Sequence, residues 1–105
     1  MEKSWFINIL KQKKMQQKIS DICDGMKELL LAKNQKYGNS ALSPNNIFSK
    51  LNAENSICIR LDDKIGRVKN SNELRVNDLS DIAGYLVLLM ISKGVSKDDI
   101  LKLID

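Results

Sequence analysis

Two stretches of the 105-residue chain hold most of the side chains able to do chemistry. NDLSDIAGY, residues 77–85, spaces Asp78, Asp81 and Tyr85 at i, i+3 and i+7. On a helix that spacing sets two carboxylates and a phenol on one face. RLDDKIGR, residues 60–67, gathers Arg60, Asp63, Lys64 and Arg67 in the same way. Carboxylates on an otherwise apolar helix need a partner, and two kinds are available. One is the basic stripe of Arg60, Lys64 and Arg67. The other is a divalent cation shared with an acid from a neighbouring helix, as helical bundles allow. Asp78 has a third role open to it, since an acid near a helix start caps free N–H groups and complements the dipole. Asp62 points about 100° away from Asp63 and reads as solvated.

The residue inventory excludes several chemistries. There is no histidine, so Ser-His-Asp and Cys-His nucleophiles, HExxH zinc sites and imidazole proton shuttles are ruled out. Cys23 and Cys58, 35 residues apart, fall short of a four-ligand structural zinc site and, sitting in apolar helical patterns, read as free buried thiols of a reducing cytosol. The formal charge of +4 is unevenly placed. Residues 1–20 hold Lys3, Lys11, Lys13, Lys14 and Lys18 against Glu2, whereas residues 21–105 carry twelve bases and twelve acids. This basic amphipathic start also holds Trp5, Phe6, Ile9 and Leu10, which are expected to dock on the domain or on a second subunit. Without aromatics among residues 11–18 there is no platform for base stacking, which argues against nucleic acid. The apolar run Ile82–Ile91 is about half a bilayer span, and residues 1–10 lack the long apolar run of a secretory signal. The expectation is a cytoplasmic protein with no membrane segment.

Helical periodicity must position these groups. Met15, Ile19, Ile22, Met26, Leu29 and Leu30 recur at the spacing of one helical face, predicting a long helix over 5–32, or two helices broken near Lys14, with Ser4 as N-cap. NQKYGNSALS, residues 34–43, reads as a loop. Ser43-Pro44 predicts a short helix to Leu51, then a bend at 52–55 and a helix over 56–69 whose core face is Ile57, Leu61, Ile65 and Val68. SICIRL is the one segment where a strand competes. Asn77 or Asp78 starts the most hydrophobic helix, which Gly94 stops after Ser92. Being apolar all round, it belongs at a bundle centre or a subunit interface. Ser96 and Asp99 form a capping box for a last short helix carrying Ile100, Leu101 and Ile104. The reading is one all-α domain, residues 1–105: a small bundle of four to six helices with a long N-terminal helix and a motif-bearing core at 33–92.

In order and spacing, KNQKYGNS (33–40), RLDDKIGR and NDLSDIAGY resemble small phage and prophage proteins of the nucleotide-modification-associated type, relatives of all-α MazG-like nucleoside triphosphate pyrophosphohydrolases. The resemblance spans residues 33–92. It implies a helical, oligomeric protein handling nucleotides, located in the host cytoplasm if phage-encoded. In MazG-like enzymes an ExxE pair and a later ExxD pair hold magnesium, which activates water against the α-phosphate. Asp78 and Asp81 fit the second pair; the first has no ExxE here, leaving Asp63 or Glu28 as candidates. The implied Mg²⁺ ligands are therefore Asp63, Asp78, Asp81 and Glu28. The implied nucleotide contacts are Arg60 and Arg67 as bidentate phosphate grips, Lys64 and Lys36 as point charges, Tyr37 and Tyr85 as aromatic surfaces, and Gly38 for close backbone approach. Three functions compete: a Mg²⁺-dependent pyrophosphohydrolase, a non-catalytic nucleotide binder, and a protein–protein module, such as an inhibitor of a host factor, in which the charged stripe makes only structural ion pairs.

Overall fold

A computed structural model describes residues 2–39, 41–42 and 52–105. Among these the structure is entirely helical and contains no strand. Helix α1 runs unbroken from Glu2 to Tyr37, 36 residues and so about 54 Å long. It passes through Lys14 without a break, because the segment holds no proline and its lone Gly25 costs only about 1 kcal/mol. Ser4 lies inside the helix rather than capping it.

The C-terminal end of α1 corrects the expected loop at 34–43. Asn34 to Tyr37 form a last helical turn, and Gly38, at φ +67°, closes it by donating its N–H to the Asn34 carbonyl at 2.7 Å. The Asn34 amide donates in turn to the Gly38 carbonyl (3.1 Å) and to Asn39 Oδ1 (2.9 Å). Loop-like composition is thus spent on a helix stop, with glycine in the left-handed conformation that favours it. The short helix expected over 44–51 lies outside the described residues.

Helix α2, Ala53–Ser71, begins one turn earlier than the spacing predicts, because Asn52 caps it: its side chain accepts from the Asn55 N–H at 2.8 Å. SICIRL is helical within it. Ile57 (0% exposed) and Leu61 (9%) are the buried apolar core, while Ile65, expected on that face, is exposed. Helix α3, Val76–Ser92, starts just before the predicted Asn77, and Gly94, at φ +75°, ends it. Helix α4, Lys97–Leu101, has the expected capping box: Ser96 Oγ accepts from the Asp99 N–H, and Asp99 Oδ2 accepts from the Ser96 N–H. Ile104 falls beyond it.

Helix α2 packs along α3, while α1 meets α3 only through its last turns, where Met26, Leu29 and Leu30 are half-buried. Gly84 makes that meeting close: a Cβ there would sit 3.1 Å from Leu30 Cδ2. The rest of α1 extends outward, giving the molecule a longest dimension of 65 Å. No described helix is long and apolar enough to cross a membrane.

Candidate functional site

The two acids of α3 do face cations, but only one of these comes from the predicted stripe. Lys64 Nζ lies 3.0 Å from Asp81 Oδ2 and 3.4 Å from Asp78 Oδ1. Lys33, from the end of α1, reaches Asp81 Oδ1 at 3.3 Å, and Arg75 Nε reaches Asp78 Oδ2 at 3.4 Å. Three helices therefore meet through one charge network. Asp78 is 3% exposed and lies in the first turn of α3, where its charge complements the helix dipole; the N-cap residue Arg75 makes no side-chain cap hydrogen bond.

The electrostatics follow from these contacts. Burial pushes the Asp78 carboxyl upward, but hydrogen bonds from the Arg75 side chain and backbone and from Lys64 outweigh it and hold the group below its ordinary value. Asp81 behaves alike: burial raises it, and Lys64 and Lys33 together pull it below the usual carboxylate range. Lys64 is raised, chiefly by its hydrogen bond to Asp81 and against the opposing effect of burial. All three groups are charged at neutral pH.

Beside this network, the end of α1, Arg60 of α2 and one side of α3 enclose an open cleft of about 340 Å³. Tyr37 and Gly38 enter from the first motif segment, Arg60 from the second, and Asp81 and Tyr85 from the third. Leu29, Leu30 and Leu88 supply an apolar floor, with Lys33, Asn34 and Ser80 as polar groups. Among the described residues Arg60 makes no ion pair, so its guanidinium is available at the cleft wall.

Several predicted site residues lie elsewhere. Lys64 works as the bridge between the two acids rather than as a cleft-lining phosphate contact. Arg67 and Asp63 are exposed on α2 and do not line the cleft. Lys36 sits over the Tyr37 ring at 5.3 Å from its centre, a cation–π contact, and does not line the cleft. Glu28 is exposed on α1. Sequence reasoning missed Lys33, Asn34 and Arg75. The signal for the first two was present: Lys33 and Tyr37, like Asn34 and Gly38, are four residues apart, but reading this segment as a loop hid their shared face.

The donor set does not fit a protein-held Mg²⁺. Among the described residues no three Asp, Glu or Cys side chains converge on one point, so the set Glu28, Asp63, Asp78 and Asp81 does not assemble. Asp62 and Asp63 face solvent, and the Lys64 ammonium lies between Asp78 and Asp81, where a dication would need to be. What the arrangement can do is hold an anion with a flat apolar portion, using Arg60 and Lys33 beside Tyr37, Tyr85 and leucine surface. Comparison with known proteins returned nothing similar: no family model, curated protein or solved structure matches the chain.

Proposed function

We propose that the protein binds a nucleotide, or a molecule derived from one, in the cleft between the end of α1 and α3, and that it sequesters this ligand rather than hydrolysing it. The observation that carries this reading is the convergence of Tyr37 and Gly38, Arg60, and Asp81 and Tyr85 on one cleft, although they come from three separate segments of the chain. At about 340 Å³ the cleft lies within the range of small-ligand sites, at the small end suited to a mononucleotide. Arg60 and Lys33 grip phosphate oxygens, Tyr37 and Tyr85 offer aromatic surface to the base, and Gly38 lets the backbone come close. Mg²⁺ belongs to this reading only as the ion that travels with the phosphates. The resemblance of these same motif segments to phage proteins of the nucleotide-modification-associated type agrees with this reading, and with it goes a place in the host cytoplasm.

The test is a thermal-shift and calorimetric screen of nucleoside mono-, di- and triphosphates with and without Mg²⁺. A ligand at a hundred times its dissociation constant should stabilise the fold by about 2.7 kcal/mol. Arg60→Ala should weaken binding by roughly 10-fold or more, the worth of a charge-assisted hydrogen bond, with unchanged helix content. Pyrophosphate release that needs Mg²⁺ and vanishes in Asp81→Ala would restore the hydrolase. Absence of any nucleotide binding leaves the protein–protein module.

A further inference from the structure

The charges of the cleft and of the network beside it do not cancel. Asp78 and Asp81 are met by Arg75 and Lys64 at 3.0 to 3.4 Å, so these four groups balance among themselves. Lys33 and Arg60 are then in surplus. Lys33 touches Asp81 Oδ1 at 3.3 Å, but Lys64 holds the other oxygen at 3.0 Å and keeps Asp81 paired when an anion draws Lys33 away. Arg60 makes no ion pair among the described residues. Both surplus cations line the cleft, and Asp81 is the one acid among its described lining residues. They reach it from separate walls. Lys33 stands on α1 and Arg60 on α2, and among the described residues no Cα of α1 lies within 8 Å of a Cα of α2, since each helix packs on α3 instead. An anion seated between the two cations joins helices that have no backbone contact of their own.

We infer that the cleft selects a nucleoside monophosphate, bound as its free anion without Mg²⁺, with the phosphoryl group spanning Lys33 and Arg60. The inference rests on the cleft being a nucleotide site and adds the number of phosphates. A phosphate monoester carries about −1.5 to −2 charge at neutral pH and has three terminal acceptor oxygens. Two cations match that charge: the Arg60 fork takes two oxygens side by side, and the Lys33 ammonium takes the third. Further phosphoryl groups find no surplus cation in the lining and meet Asp81 as its remaining charge. Mg²⁺, which would offset their excess charge, has no seat on the protein. Lys64 occupies the space between Asp78 and Asp81, and no three acids converge among the described residues. Tyr37, Tyr85 and the leucine floor leave the rest of the roughly 340 Å³ to an uncharged base and sugar.

The test is calorimetry of the full chain with the mono-, di- and triphosphates of the common nucleosides, each with and without Mg²⁺. The monophosphate of the preferred nucleoside should bind roughly 10-fold tighter than its triphosphate in the absence of the metal. Adding Mg²⁺ should leave the monophosphate affinity unchanged. Lys33→Met and Arg60→Lys should each weaken it by roughly 10-fold, the first by losing a cation and the second by losing the planar fork. Asp81→Asn gives a readout that simple destabilisation would not move: with the acid gone from the lining, triphosphate affinity should rise relative to monophosphate affinity. At saturation the monophosphate should slow hydrogen exchange in residues 23–37 of the unmodified chain, and clearly less in Lys33→Met, where the bridge to α1 is missing. A triphosphate that binds more tightly, a monophosphate that needs Mg²⁺, or equal slowing in both chains overturns the inference and leaves the nucleotide cleft standing. If none of the nucleotides binds, the cleft reading itself falls and this inference falls with it.

Discussion

The two halves of α1 share one apolar face and differ in what covers it. From Met26 onward the face rests on α3, Gly84 lets the helices approach closely, and Lys33 and Tyr37 are carried into the cleft. From Met15 to Ile22 the same face, at the same spacing, is exposed, and the lysines around it find no acid among the described residues. The difference teaches that periodicity states which side of a helix is built to be covered and is silent about the cover. That depends on where the chain turns back, and here it turns back beside the last third of α1 only.

Three substitutions would break or sharpen this contrast. The largest effect is expected inside the α2–α3 body, on which the docked half depends. Ile57→Ala removes the one fully covered side chain there and should cost about 3 kcal/mol, lowering the melting temperature by more than 10 °C. A loss limited to the circular dichroism signal of α1 would show that the body does not depend on this residue.

Gly84→Leu comes next, because it acts on the junction itself. A side chain at this position meets Leu30, so α1 should be levered off α3 and cleft binding should fall at least 10-fold, while α2 and α3 stay paired. Hydrogen exchange should then be accelerated in residues 23–37 and unchanged in 53–71. Uniform acceleration would contradict separable halves.

The smallest effect concerns the charge network. Asp78 and Asp81 are depressed below 3.8, so their pairing contributes fully above that value and is lost as pH falls through the lower folded-state pKa values. Lys64 is raised above 10.5, so its contribution is complete below 10.5 and is lost as pH rises through the higher folded-state value. The melting temperature should therefore be flat from roughly pH 5 to 9 and fall on both sides. Lys64→Met should lower the plateau by about 5 °C and shift the acid shoulder to higher pH, since Asp78 and Asp81 each lose a cation. An unmoved shoulder would show that Arg75 and Lys33 suffice.

Much of the fold was legible because helix periods and stop signals are local. Gly94, the Ser96–Asp99 box and the run to Ser92 could each be read from a few neighbouring residues, and the all-helical character from the spacing of Ile57, Leu61 and Val68. Asn34 and Asn52 misled for one reason: both are loop-forming residues whose side chains serve a helix end, Asn34 closing α1 and Asn52 capping the start of α2. In the site, a basic stripe on α2 facing Asp78 and Asp81 was legible from helix faces, but that Lys64, and not Arg60 or Arg67, makes the pairs was not. Nor was Lys33, which is 48 residues from Asp81 in sequence. Arg60, Lys64 and Arg67 looked equivalent as a stripe, yet the packing angle of α2 on α3 gives each a different neighbour: the cleft, the carboxylates and water.

The length of α1 gives its attachment a mechanical meaning. A stiff rod held only near one end is a lever, and the cleft occupies the fulcrum, with Lys33 on the rod and Arg60 on the base. A tilt of about 5° there swings the far tip, carrying Trp5 and Phe6, by about 4 Å over a ~42 Å arm measured from Lys33. Whatever fills the cleft therefore also sets the direction in which that tip points.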